Sequence, residues 1–282
     1  MANSENTNIS TKVPRMLYGT AWKEQQTERH VLEAVNAGFR GIDTANQRKH
    51  YYEEGVGNAL LKLYAQEGFK REDFFLQTKF TPLAGHDYRL PYDNEASRAD
   101  QVRQSFENSL QHLQTDYLDS YILHGPTSSC GLCKTDWFTW EVMTKLYQQG
   151  RVKRIGVSNM NFEQLKELTE TSETAPHFIQ NRCFARTGWD RQVREYCLDK
   201  GIVYQGFSLL TANPDVLQNL EFQKLAQQKD LTPAQLVLTF ALKVKMLPLT
   251  GTTDPQHMQQ DLDCLDKDLD DASFEIIESL IG

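Results

Sequence analysis

With 282 residues and 39% hydrophobic side chains, the chain has the material for one large α/β domain with a substantial core. A formal net charge of −8 without a basic stripe argues against a nucleic-acid partner, which would need a cationic face for phosphates. No apolar run reaches the roughly 20 residues that cross a bilayer, and the polar stretch Met1–Lys12 lacks a signal-peptide core, so the expectation is a soluble, cytoplasmic, monomeric protein with a flexible N-terminus over residues 1–12.

Strand and helix patterns alternate along the whole chain. Arg15–Gly19 reads as a short buried strand, followed by a helix at Glu28–Ala37 with Thr27 as N-cap and Gly38 past its end. Phe39–Asp43 and a helix at Glu53–Gln66 form the second unit. Phe74–Lys79, a polar proline-containing loop and a helix at Asp100–Leu113 form the third. Tyr117–His124 pairs with Trp137–Gln149, Val152–Ser158 with Phe162–Leu168, and Phe178–Gln180 with Arg191–Lys200. Ile202–Phe207 is the seventh strand, and its return carries Leu217–Gln228 and Pro233–Leu242. Met246–Thr250 precedes Pro255–Leu262, and Phe274–Leu280 is a last helix. Eight such units with short connections close into a (β/α)₈ TIM barrel, an α/β fold read as a single domain over 1–282. An open doubly wound sheet would want GxGxxG after the first strand, and Gly19-Thr20-Ala21-Trp22-Lys23 is not that motif.

The cysteines, Cys130, Cys133, Cys183, Cys197 and Cys264, are odd in number and irregularly spaced, which fits a reducing compartment better than a disulfide framework. Cys130-Gly131-Leu132-Cys133 lacks the second pair of a zinc site and reads as two unpaired thiols in a Ser/Gly-rich loop rather than at a helix start. No metal is expected.

In a parallel barrel the carboxyl ends of the strands surround one pocket. The runs Gly41-Ile42-Asp43-Thr44-Ala45, Leu76-Gln77-Thr78-Lys79 and Tyr121-Ile122-Leu123-His124 each end in or near an ionisable group. An acid, a lysine and a histidine would meet there and handle protons. Taken singly, each has a bland reading: a lysine at a strand end is usually a solvated rim residue, and a histidine a satisfied structural group.

Several motifs in order resemble the aldo-keto reductase superfamily. Gly38-Phe39-Arg40-Gly41-Ile42-Asp43-Thr44-Ala45 looks like its GxRxIDTA, and Gly55-Val56-Gly57-Asn58-Ala59-Leu60 like its VGxAL. Gly150-Arg151-Val152-Lys153-Arg154-Ile155-Gly156-Val157-Ser158-Asn159 looks like its GKVRxIGVSN, and Thr232-Pro233-Ala234-Gln235 like its TPAQ. The resemblance implies metal-free reduction of a small carbonyl substrate by a nicotinamide cofactor. It makes Asp43, Lys79 and His124 catalytic, with a tyrosine as proton donor whose pKa the lysine lowers. The segment before the second helix departs from the family. One family spacing falls on Arg48, another on His50, and Tyr51 is preferred over Tyr52 because it leaves a YxxE pattern ending at Glu54. His50 is the remaining alternative as acid.

The resemblance also implies a cofactor site of Gly19, Thr20, Asp43, Ser158, Asn159, Gln180, Phe207, Ser208, Leu209, Thr250, Thr252 and Thr253, with Phe207 stacking on the nicotinamide. NADP(H) is the family's habit. NAD(H) is the alternative, because Leu249 stands where a lysine is expected, Asp254 would repel a phosphate, and His257 is the nearest candidate cation. The threonines before Pro255 would place a phosphate at a helix N-terminus. Trp22 and His124 would line the substrate pocket. Gly125-Pro126 replaces the usual Trp-Pro, and neither a paired N-terminal hairpin nor a long C-terminal loop is evident, so the pocket is expected to be open. The rivals are a nicotinamide-binding sensor or regulatory barrel, and a lyase or isomerase using Lys79 as a Schiff base. Ser158, Asn159 and Gln180 speak against the latter.

Overall fold

The computed structural model describes residues 13–279, so the expected flexible N-terminus and Leu280 lie outside the described residues. Eight strands form a closed parallel barrel in chain order: β1 (Leu17–Gly19), β2 (Gly41–Asp43), β3 (Phe75–Phe80), β4 (Ser120–Leu123), β5 (Ile155–Ser158), β6 (Phe178–Arg182), β7 (Val203–Phe207) and β8 (Leu247–Thr250). The main return helices are α1 (Thr27–Ala37), α2 (Glu53–Gln66), α3 (Arg98–Leu113), α4 (Lys134–Gln148), α5 (Phe162–Thr171) and α6 (Arg191–Lys200). The seventh return carries α7 (Pro214–Gln218), α8 (Leu220–Gln228) and α9 (Pro233–Lys243), and α10 (Pro255–Asp263) and α11 (Asp271–Ser279) follow β8. No described helix is long and apolar enough to cross a membrane.

The period-two alternation of a strand sorts side chains between barrel interior and helix layer. Leu17, Phe75, Ile122, Phe178, Leu247 and Leu249 pack with Val203 and Phe207 inside the barrel, while the larger apolar core fills the space between sheet and helices. Above the apolar interior lies a layer that the sequence reading missed. Gln77 and Gln205 exchange hydrogen bonds at 2.8 and 2.9 Å, Gln180 donates to Gln205 at 2.9 Å, and Ser120 donates to Gln77 at 2.7 Å. Helix α2 crosses α3 closely enough that a Cβ on Gly57 would lie 1.9 Å from the His112 carbonyl oxygen, which explains this motif glycine by close approach.

Local corrections follow from capping. Thr27 is the first residue of α1, not its cap, because its hydroxyl turns back to the Glu24 carbonyl at 2.7 Å. The single helix expected over Leu217–Gln228 is two, since the Asn219 side chain accepts from the N–H groups of Glu221 and Phe222 and starts a new helix. Cys133 is the N-cap of α4, so the Cys130/Cys133 segment does open a helix; both thiols are free.

Candidate active site

The strand ends deliver Asp43, Lys79 and His124 to one mouth. Lys79 donates to both Asp43 carboxylate oxygens at 2.8 and 2.7 Å and to the Thr44 carbonyl at 2.8 Å, which engages all three ammonium hydrogens. The pair is sealed, with Lys79 0% and Asp43 2% exposed. Gln77 and Gln180 also donate to Asp43 Oδ1, at 2.7 and 3.0 Å, so the carboxylate stands on the amide layer below it.

The longer segment before α2 folds as a turn, with the His50 and Tyr51 N–H groups donating to the Gln47 carbonyl at 3.1 and 3.0 Å. That turn puts the Tyr51 ring centroid 5.1 Å from Lys79 Nζ and 5.9 Å from the His124 ring. Tyr52 instead caps α2, its ring 4.4 Å from the Arg48 guanidinium, and His50 packs on Trp22 with ring centroids 4.0 Å apart. Of the three candidate acids, Tyr51 is therefore the one beside both Lys79 and His124. His124 Nδ1 is 2.7 Å from the Thr81 hydroxyl, and the His124 backbone N–H donates to the Phe80 carbonyl at 2.9 Å.

Burial sets the charges. It pushes the Tyr51 phenol well above its usual pKa, and the Asp43 charge pushes the same way. Burial lowers the Lys79 pKa, while Asp43 and then Glu53 oppose that shift. His124 falls well below the ordinary imidazole value through burial and the nearby Lys79, His86 and His50. The ring is thus neutral near neutral pH, with one donor and one acceptor nitrogen. The net shift of the Tyr51 phenol is thus upward rather than the expected lowering, because burial and the Asp43 charge set its direction, and the phenol keeps its proton.

A cavity of about 420 Å³ is walled by Gly19, Trp22, Asp43, Tyr51, Gln180 and Phe207, with Ser208 and Leu209 after β7, Thr250 at the end of β8 and Thr252 beyond it. Both Gln180 amide hydrogens are used, on Asp43 and Gln205, and the Thr250 hydroxyl donates to Asp261 at 2.6 Å. Four residues expected in this wall, Thr20, Ser158, Asn159 and Thr253, are not in it. Thr20 and Ser158 are buried, their hydroxyls donated to the carbonyls of Asp43 and Gln180 at 3.0 and 2.7 Å, and Thr253 is exposed on the turn before α10. Leu249 packs with the barrel-interior cluster and also lines this cavity, so an apolar side chain stands where a lysine was expected. Asp254 caps α10 by accepting from the N–H groups of Gln256 and His257, so that helix N-terminus is already satisfied.

Asn159 lies in a second cavity of about 680 Å³ with His50, Thr81 and His124, and its amide donates to the His124 carbonyl at 2.8 Å. The two cavities adjoin where Tyr51 meets His124 and where Trp22, 71% exposed, meets His50. Trp22, Asn159 and Ser208 all hold positive φ, the kind of backbone strain that collects at working sites.

Lys23 is the cation that the sequence reading missed. It is 6% exposed, donates to the Gly251 carbonyl at 2.8 Å and has no carboxylate within ion-pair distance among the described residues. Burial pushes its pKa down to about 8. The local signal was only its place four residues past a barrel strand; the contact to Gly251 spans 228 positions.

A family model described as the aldo/keto reductase family matches residues 15–281. The glyoxal reductase of Bacillus subtilis (strain 168) is 29% identical over 252 residues, covering 89% of this chain and 82% of that protein. The methylglyoxal reductase DkgA of Yersinia pestis is 30% identical over 245 residues, covering 86% and 79%. Among solved structures, MGS-M4, an aldo-keto reductase enzyme from a Medee basin deep-sea metagenome library, superposes with a TM-score of 0.81 at 25% identity, covering 95% of this chain and 91% of that one.

Proposed function

Since the chain belongs to the aldo/keto reductase family and is an oxidoreductase acting on carbonyl groups, we propose that it reduces aldehydes or ketones to alcohols, with Tyr51 as proton donor and NADPH as the preferred cofactor. The observation that carries this reading is the convergence of Tyr51, the sealed Lys79–Asp43 pair and His124 on one mouth.

The first cavity suits a nicotinamide nucleotide. Phe207 offers a half-buried ring as a stacking wall, and Lys23, without an acidic partner among the described residues, donates to the carbonyl of the wall residue Gly251, and would be the cation to meet a phosphate there. When bound, the nicotinamide supplies the hydride for the carbonyl carbon. The protein's own residues do the rest. His124, neutral, donates one hydrogen bond to the carbonyl oxygen and orients it. The Thr81 hydroxyl has His124 Nδ1 as its hydrogen-bond partner, and donation to that nitrogen leaves the proton on Nε2. Tyr51, held protonated, gives its proton to the developing alkoxide, a stronger base than the phenolate it leaves behind. The buried Lys79 cation stabilises that phenolate, and Asp43 keeps the lysine charged and placed.

The test is NADPH consumption with a simple aromatic aldehyde by wild type and Tyr51→Phe. Turnover by wild type and its collapse in the variant support the reading. Cofactor binding, seen as tryptophan quenching, with no turnover of any aldehyde by wild type would instead identify a sensor.

A further inference from the structure

The second cavity holds a cation that the catalytic reading does not use. Arg98 lies in its wall with His124, His50, Thr81, Thr127 and Asn159. Two of its guanidinium nitrogens, Nε and Nη1, are buried with no hydrogen-bond partner, and no ion pair involves Arg98 among the described residues. Its guanidinium carbon lies 5.7 Å from the centroid of the Phe80 ring, and its charge also acts on the Tyr92 phenol. Helix stability does not explain it, because Arg98 is the first residue of α3, where the helix dipole disfavours a cation. Arg98 as a whole is half-buried, but guanidinium nitrogens as buried as these two are ordinarily paired, and leaving them unpaired is costly.

The surroundings define what would pair with it. No aspartate or glutamate lines this cavity, although the whole chain carries a net charge of −8. Apart from Gln47 and two glycines, the remaining walls are apolar, from Pro82, Leu83, Ala84 and Pro126. Arg98 and His124 flank one residue: the Phe80 ring faces the guanidinium, and the Phe80 carbonyl accepts from the His124 backbone N–H at 2.9 Å. A molecule whose carbonyl meets His124 therefore has room to extend a second group toward Arg98.

Resting on the reductase reading above, we propose that Arg98 is a specificity-determining residue that binds a carboxylate on the substrate, so that this enzyme's substrates are aldehydes or ketones bearing a carboxylate a short spacer away from the reacting carbonyl. The planar guanidinium matches the two oxygens of a carboxylate and stays charged at every working pH.

The experiment compares kcat/KM for two pairs of substrates, 4-carboxybenzaldehyde against methyl 4-formylbenzoate and 4-oxobutanoate against butanal, in wild type, Arg98→Met, Arg98→Gln and Arg98→Lys. The expected result in at least one pair is a wild-type preference for the carboxylate. The carboxylate-to-neutral ratio then falls about tenfold or more in Arg98→Met and Arg98→Gln, mainly through KM, and is partly kept in Arg98→Lys. Because the readout is a ratio within each variant, a general loss of folded enzyme cancels. A wild-type ratio near one in both pairs, or a ratio unchanged in both neutral variants, overturns the role of Arg98 while leaving the reductase reading intact. Turnover of none of the four compounds by wild type overturns the reductase reading and this proposal with it.

Discussion

Lys79→Met removes the ammonium and leaves most of the side-chain volume. Asp43 then loses the donor that holds both its oxygens, at 2.8 and 2.7 Å, and keeps only the Gln77 and Gln180 amides on Oδ1. At 2% exposure the carboxylate has little access to water. Breaking a buried ion pair by removing one partner costs about 3–5 kcal/mol, and the two surviving amide donors place this variant near the lower end, about 3 kcal/mol. The double variant Lys79→Met/Asp43→Asn removes both charges and recovers most of the stability, because an asparagine oxygen still accepts from Gln77 and Gln180. Turnover stays down by about 10²–10⁴ in both variants, since the phenolate of Tyr51 has lost its cation. Urea unfolding and steady-state NADPH consumption check this. A Lys79→Met protein as stable as wild type, or a double variant no more stable than the single, would refute the energetic argument. An active Lys79→Met enzyme would refute the mechanism.

Tyr51→Phe should lose about 10²–10⁴ in kcat while Tyr52→Phe stays close to wild type, because the Tyr52 ring packs against Arg48 rather than near Lys79; the reverse order would mean that the neighbouring tyrosine is the donor. Lys23→Met should weaken binding of NADPH and NADH alike by about tenfold or more, measured by tryptophan quenching. In wild type that affinity should be flat below pH 8 and fall above it, as the ammonium whose pKa burial holds at about 8 loses its proton, and the slope should vanish in the variant. Discrimination between NADPH and NADH, read from kcat/KM, should stay below about a hundredfold, roughly 2.7 kcal/mol, because Leu249 brings no charge to the cavity wall and Asp254 caps the helix start that follows. A much larger ratio would mean that another cation reaches the 2′-phosphate.

The barrel and the Asp43, Lys79 and His124 positions were legible because local signals coincide there: apolar runs of strand length, short returns, and an ionisable residue at the end of each run. The preference for Tyr51 over Tyr52 came from spacing alone, and what the sequence does not contain is the Gln47 turn that rotates one tyrosine inward and the other onto Arg48. The Thr20 and Ser158 hydroxyls looked available because their backbone acceptors lie on neighbouring strands, 23 and 22 positions away. Lys23 and Arg98 were invisible for a related reason. Burial of a loop lysine or a helix-start arginine is a property of the assembled barrel, and neither residue type advertises it. Gln77 did leave a trace, since it shares strand parity with Lys79, but polar residues inside apolar strands are easily taken for edges.

The amide layer beneath the site also settles which face Gln180 shows to the cavity. A carboxylate accepts hydrogen bonds and cannot donate them. Asp43 therefore forces Gln77 and Gln180 to turn their nitrogens toward it, and Gln205 must answer both with its oxygen. Gln180 has then spent both amide hydrogens, and only its carbonyl oxygen is left for anything lodged against it. A single buried charge thus wires the polarity of a wall that it does not itself occupy at that point. The wall asks its ligand for a donor: a carboxamide NH₂ can answer, and the corresponding carboxylate, oxygen facing oxygen, is turned away.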